Sequence, residues 1–164
     1  MAIERSTLMT YLNQLLKPEQ FKDYAPNGLQ VEGKEQVHKL VAGVTASQEL
    51  IEEAIALKAD AIFVHHGYFW KNEASPIVGM KKRRIKALLA HDINLIGYHL
   101  PLDCHPQLGN NAQLGELLGW EPDGHIQSSG VTGLGLHATF AEALTGAQVQ
   151  SHISKTLGRE VLHI

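Results

Sequence analysis

Ala61-Ile62-Phe63-Val64-His65-His66-Gly67 is an apolar run that stops on two histidines, and Ile93-Asn94-Leu95-Ile96-Gly97-Tyr98-His99 repeats the pattern further along. Each run has the length and composition of a buried strand. A third such run, Leu40-Val41-Ala42-Gly43-Val44, precedes them. Between the runs lie helical patterns. Gln48 to Lys58 places Leu50, Ile51, Ala54 and Ile55 inward, with capping-box spacing from Thr45 to Gln48 and Ser47 as a second cap candidate. Met80 to His91 carries an Ile85, Leu88, Leu89 stripe. Strand, helix, strand, helix, strand predicts parallel βαβ units, hence a three-layer α/β/α fold with a mainly parallel sheet that includes 40–44, 61–64 and 93–98. Ligands in such sheets bind outside the carboxyl ends of the strands. That is where His65, His66 and His99 fall.

The flanks supply the remaining elements. Leu8, Tyr11, Leu12, Leu15 and Leu16 form the stripe of an amphipathic helix, with Ser6 or Thr7 as caps and Pro18 as its end or the start of a short second turn. Pro26-Asn27-Gly28 is turn chemistry, and Leu29 to Val31 reads as a short strand after it. A second reading has Asn27 and Gln30 placing their amides near the site. Asn110 to Leu118 is expected to be a helix with Leu114, Leu117 and Leu118 inward and Gly119 at its C-terminal end. Beyond Trp120, Glu121 to Gly135 is rich in Pro, Gly and Ser and reads as a boundary or long loop. The expected organisation is therefore a metal-binding α/β domain over 1–120 and the start of a second region over 121–164. Thr139 to Leu157 is partly helical in pattern, with Ala143, Leu144, Val149, Ile153 and Leu157 as buried candidates. Val161 to Ile164 reads as a strand that has barely begun, which suggests the front part of a longer protein.

Bulk composition narrows the function. The 164 residues carry a formal net charge of −3, so the global basic footprint of a nucleic-acid binder is missing. Lys81-Lys82-Arg83-Arg84 is the one dense basic run and reads first as a solvated helix face. The single cysteine, Cys104, allows no internal disulfide and suits a reducing compartment. No stretch has the ~20 apolar residues of a membrane span, and no apolar start resembles a signal peptide. The expected location is the cytoplasm. Ten histidines are many for this length. Of these, His38, His91, His125, His152 and His163 have no companion ligands nearby and read as structural or solvated.

His65, His66 and Asp103, with His99 as a further candidate, form the predicted metal centre. Consecutive residues on a regular strand face opposite ways, so both imidazoles reach one point only if the strand has ended, and Gly67 permits a turn there. The pair then serves two metals side by side. Asp103 adds an oxygen donor, and His99 is either a ligand or a group orienting Asp103. Imidazole with carboxylate suits zinc, iron, manganese, cobalt or nickel. Without a thiolate cluster, an open site with a bound water is expected over a closed structural one. Tyr68, Phe69 and Trp70 follow directly and read as core packing, or as a wall on which a planar ring stacks.

Three segments carry a family resemblance. Asp23-Tyr24-Ala25-Pro26-Asn27-Gly28-Leu29-Gln30-Val31-Glu32-Gly33, Val64-His65-His66-Gly67-Tyr68-Phe69-Trp70-Lys71, and Tyr98-His99-Leu100-Pro101-Leu102-Asp103 with Gly109-Asn110-Asn111-Ala112 resemble motifs of the type 2 homologues of GTP cyclohydrolase I, the YbgI-like proteins. The resemblance covers about residues 20 to 120. It implies an α/β fold, a centre of two divalent metal ions per subunit in full-length relatives, and ring-shaped homohexamers built from dimers. By that analogy His65 and His66 bind different metals and Asp103 completes one site. The family's remaining ligands, a His and a Glu a few residues apart, lie near the end of a longer chain. No such motif occurs here, and neither His152 nor His163 has the partnered Glu. The implied function is metal-dependent hydrolysis, with activated water attacking a purine nucleotide or a similar ring. Tyr68, Trp70 and Asn27 are then candidate substrate contacts. The alternative is a non-catalytic, ring-forming metal-binding scaffold or regulator.

Overall fold

The computed structural model of the protein describes residues 2–128 and 131–164. Its contacts divide the chain into two units, Met1–Leu102 and Asp103–Ile164.

The first unit contains, in order, β1 (Ile3–Glu4), α1 (Arg5–Leu16), a 3-10 turn at Pro18–Gln20, β2 (Gly28–Val31), β3 (Gln36–Val37), β4 (Leu40–Thr45), α2 (Gln48–Ala56), β5 (Ala61–His66), α3 (Gly79–Ala90) and β6 (Asn94–Gly97). The main sheet has the order β2-β6-β5-β4. The pairs β4–β5 and β5–β6 are parallel, as the alternation of strands and helices requires, and β2 closes the edge antiparallel to β6. Strand alternation sends neighbouring residues to opposite faces. Ile62, Val64 and Leu95 pack with Ile51 and Ala54 of α2 and Ile85 and Leu88 of α3. On the other face, Ala61, Ile96 and Tyr98 pack with Leu16 of α1, and Leu8, Leu12 and Leu15 adjoin. Helices thus cover both faces of an α/β sheet. Full burial of each large aliphatic contributes roughly 1.5–3 kcal/mol, so these two clusters are the main source of stability in this unit.

Several local details differ from the sequence reading. Neither Ser6 nor Thr7 caps α1. The helix starts from Glu4, with no side-chain cap, because the preceding strand pairs with β3 and Arg5 N–H donates to Glu35 O at 2.7 Å. Ser47, not Thr45, caps α2 by accepting from Leu50 N–H at 3.2 Å. Leu89 is exposed, since only Ile85 and Leu88 of its stripe turn to the sheet.

The chain passes through α4 (Leu100–Asp103) into the second unit. This unit holds α5 (Asn110–Leu118), β7 (Gly124–Ser128), β8 (Val131–His137) and α6 (Gly146–Leu157). Helix α5 groups with the elements after it, whereas the composition change had suggested a boundary near residue 120. The segment read as a loop is an antiparallel hairpin, β7–β8. Leu118 is buried, but Leu114 and Leu117 are exposed. Helix α6 begins on a full capping box formed by Thr145 and Gln148. Ala143 and Leu144 lie exposed ahead of it. Val161 to Ile164 forms no strand. Val161 instead bonds to α6 side chains, with Gln150 Nε2 donating to Val161 O and Val161 N–H donating to Ser154 Oγ.

Candidate metal centre

Parallel pairing brings the carboxyl ends of β4, β5 and β6 together. Thr45 pairs with His66, and Val64 with Gly97, so the residues just past those pairs share one rim of the sheet. On that rim His65, His66 and His99 each offer a ring nitrogen, and these atoms lie within 4.8 Å of one another. The ring centroids of His65 and His66 are 4.4 Å apart, those of His65 and His99 5.1 Å, and those of His66 and His99 5.7 Å. The strand does not end before the histidines, as the sequence reading required. It runs through His66. Side chains on opposite faces lean along the strand direction, and past its last residues the two rings meet.

Hydrogen bonds orient the rings. His65 Nδ1 lies 3.1 Å from Tyr98 O. A carbonyl only accepts, so Nδ1 donates and Nε2 is the basic nitrogen. His99 Nδ1 lies 2.7 Å from Asp23 Oδ1, which sets the same tautomer. His66 Nδ1 lies 3.2 Å from Thr45 Oγ1, a hydroxyl able to donate or accept. Imidazole donors oriented in this way fit a divalent transition metal. His65, His66 and His99 are the residues that would hold such an ion.

The loop from Asp23 to Gln30 supports the cluster. Burial alone would push the Asp23 carboxyl up, but hydrogen bonds from His99, Asn27 and the Leu100 and Tyr24 amides outweigh it and hold the group below its ordinary 3.8. Asn27 engages both ends of its amide within the protein, accepting from His99 N–H at 2.7 Å and donating to Asp23 at 2.9 Å. It therefore holds His99 where the sequence suggested a substrate contact. Gln30 accepts from Tyr68 N–H at 2.7 Å and donates to Pro26 O at 2.8 Å, which ties the turn after His66 to the same loop.

The aromatics divide between two roles. Tyr68 belongs to the core; its hydroxyl donates to Ala46 O at 2.8 Å, and burial pushes its pKa up to about 12. It offers no face to a ligand. Phe69 sits in the left-handed region at φ 65°, uncommon for a bulky residue, and the chain turns there. Trp70 follows, half-buried, with its ring centroid 5.0 Å from His99 and 6.0 Å from His66. Its indole N–H donates to Gly67 O at 3.2 Å. Trp70 thus lies beside the histidines.

Asp103 ends α4 and accepts from Asn110 Nδ2 at 2.7 Å. It belongs to the second unit. The sequence reading left Asp23 inside a turn. Its spacing of four from Asn27, within a loop leading into an edge strand, is the only local sign that the two side chains meet. His91 and His152 follow their structural reading, with ring nitrogens on Ala87 O and Leu118 O.

Comparison with known proteins shows what the chain as a whole is similar to. The family model described as Duf34/NIF3 (NGG1p interacting factor 3) matches residues 3–164. A Vibrio cholerae protein named GTP cyclohydrolase 1 type 2 homolog is 54% identical over 157 residues, covering 96% of this chain and 62% of that protein. The solved structure of protein ybgI, described as of unknown function, superposes with a TM-score of 0.90 at 51% identity, covering 98% of this chain and 63% of that one. TTHA1606 from Thermus thermophilus gives a TM-score of 0.82 at 37% identity, covering 98% of this chain and 64% of that one. The chain thus spans less than two thirds of the length of these relatives.

Proposed function

We propose, because this chain belongs to the Duf34/NIF3 family, that it carries ligands of a divalent-metal centre in a metal-dependent hydrolase acting on a purine nucleotide or a similar ring. The observation that carries the reading is the convergence of His65, His66 and His99 at one sheet rim, with Trp70 beside them. His65 and His99 would present Nε2 to the ion, and His66 the nitrogen that Thr45 leaves as acceptor. Asp103 is the oxygen donor in this reading, on its resemblance to the family motif. A bound divalent ion supplies Lewis acidity and activates water near neutral pH. The protein's own contribution is orientation: Asp23 and the Tyr98 carbonyl fix two tautomers, Trp70 would give a planar base a π-face, and Lys71, exposed and next in sequence, would meet a phosphate. A cytoplasmic location and a homohexamer of dimers belong to the same reading. No helix among the described residues is long and apolar enough to cross a membrane.

Metal analysis with native mass spectrometry tests the centre and the assembly together. Bound divalent metal is expected, with His65→Ala and His66→Ala each lowering the metal content. Wild-type metal content in both variants removes the assignment, and Asp103→Ala tests the oxygen donor in the same way. Activity is followed by ring opening and formate release from GTP. Metal-dependent turnover lost in His66→Ala supports the hydrolase. A metal-loaded protein with no turnover on purine nucleotides is the result expected of a scaffold.

A further inference from the structure

We propose that Lys81 is a positioning residue for the candidate site: through Glu73 it holds the loop between β5 and α3 so that the Trp70 indole stands beside the histidines, where a planar base would stack on it. The inference rests on reading Trp70 as the stacking face and adds to it the residue that sets where that face lies.

The basic run Lys81-Lys82-Arg83-Arg84 reads in the sequence as a solvated helix face, and Lys82 and Arg83 are exposed as that reading requires. Lys81 departs from it, with a side chain only 14% exposed. Its ammonium is a donor on every side. Nζ donates to Ala74 O at 2.9 Å, pairs with Glu73 Oε1 at 3.3 Å and lies 5.3 Å from the centroid of the Phe69 ring. The other oxygen of the same carboxylate, Glu73 Oε2, accepts from Trp70 N–H at 3.1 Å, and Glu73 N–H donates to Trp70 O at 2.8 Å. Glu73 therefore holds the peptide groups on both sides of Trp70, and Lys81 holds Glu73.

Two features say that this arrangement serves the loop and not the helix. Lys81 stands in the first turn of α3, where a cation opposes the helix dipole, and no acidic residue in that turn offsets it. Phe69 is the second feature. A bulky residue at φ 65° persists only where its surroundings over-determine it, and the ammonium over its ring supplies part of that hold. Trp70 is the next residue, so a Phe69 that relaxes carries the indole away from its place 6.0 Å from His66 and 5.0 Å from His99. A simpler role is also available. If the bond from the indole N–H to Gly67 O were enough to seat the ring, removing Lys81 would lower stability and leave the indole in place.

The test reads Trp70 directly. The chain has two tryptophans, Trp70 and Trp120, so 5-fluorotryptophan labelling separates them by 19F NMR, with Trp120→Phe giving the assignment. Lys81→Gln is expected to displace or broaden the Trp70 resonance and to leave that of Trp120 unchanged. Lys82→Gln, which removes the same charge from the exposed neighbour, is expected to leave both unchanged. GTP titrated into wild type is expected to shift the Trp70 resonance. Its affinity should fall about tenfold in Lys81→Gln, within the range that stacking a base on an aromatic side chain contributes, and should hold in Lys82→Gln. A Trp70 resonance of wild-type position and width in Lys81→Gln overturns the inference while leaving the stacking reading standing. Unchanged GTP affinity beside a displaced resonance overturns it as well, and so does an equal loss of affinity in Lys82→Gln. A wild-type Trp70 resonance that ignores GTP overturns the stacking reading and this inference with it. If Lys81→Gln fails to fold, Glu73→Ala, which cuts the same link from the Trp70 side, decides by the same two readings.

Discussion

Gly67, directly after the paired histidines, has no room for a methyl group. A β-carbon there would run into the Gln30 side-chain amide, which bonds the Tyr68 N–H. The sequence reading assigned this glycine a conformational task, yet it is not among the residues with positive φ. What the site requires is the missing side chain. Gly67→Ala is expected to displace Gln30 and leave the Tyr68 amide without its acceptor, costing about 1–3 kcal/mol. Because the same turn carries His66, Co2+ affinity should fall as well. Denaturant unfolding alongside Co2+ titration checks both, and an alanine variant matching wild type in each would show that Gln30 has another place to go. The histidines themselves were legible, because a strand end is a position where chemistry-bearing residues announce themselves. Asp23 was not. Asp beside Tyr-Ala-Pro-Asn-Gly looks like turn chemistry, and nothing local shows that the turn folds onto His99, far along the chain.

Elements were legible where hydrophobic pattern and partner agreed. The strands β5 and β6 and the helix α2 bury what their pattern said, because each packs against an element of the same unit, whereas β4 lies at the sheet edge with Leu40 and Val44 exposed and α3 leaves Leu89 exposed. The β7–β8 hairpin was hidden by its glycines, which read as loop. In the register Gly124 faces His137 and Gly135 faces Ile126, and a β-carbon on either glycine would crowd the opposing side chain. The glycines are there for close cross-strand packing. Capping shows the same dependence on surroundings: Ser47 caps α2, while a strand pairing replaces the cap of α1. Ser47→Ala is therefore expected to cost roughly 0.5–2 kcal/mol, whereas Ser6→Ala, inside α1, should stay within about 0.5 kcal/mol. Thermal melts of the two variants make the comparison. Equal losses would mean that the hydroxyl of Ser47 is not what starts the helix.

Across the first unit the two ends of the sheet divide their tasks. Histidines gather where β5 and β6 finish, and a polar staple sits where they begin. Asp60, just ahead of β5, accepts from Lys34 Nζ at 2.6 Å and from the His38 and Lys39 amides at 2.9 and 3.0 Å. Asn94, at the start of β6, accepts from Gly33 N–H and donates to Lys34 O and Asp60 O. Burial alone would push the Asp60 carboxyl up, but the bonds from Lys34, His38 and Lys39 outweigh it and hold the group below its ordinary 3.8. A folded-state pKa below the unfolded one contributes stability that is fully present above the ordinary value. As acid is added the unfolded chain takes up the proton first, and the contribution is lost as pH falls through the depressed folded value. Asp60→Asn keeps the shape but removes the charge and one acceptor, and should destabilise the neutral protein by about 1–3 kcal/mol. Melting temperatures of wild type and variant measured across pH are expected to lie apart at neutral pH and to converge in acid below 3.8. A gap of constant size down to the acid limit would show that the carboxylate charge is not what closes this end of the sheet. Since the staple and the histidines stand at opposite ends of β5, the variant's Co2+ spectrum should be that of wild type, which separates what holds the sheet together from what the sheet presents at its rim.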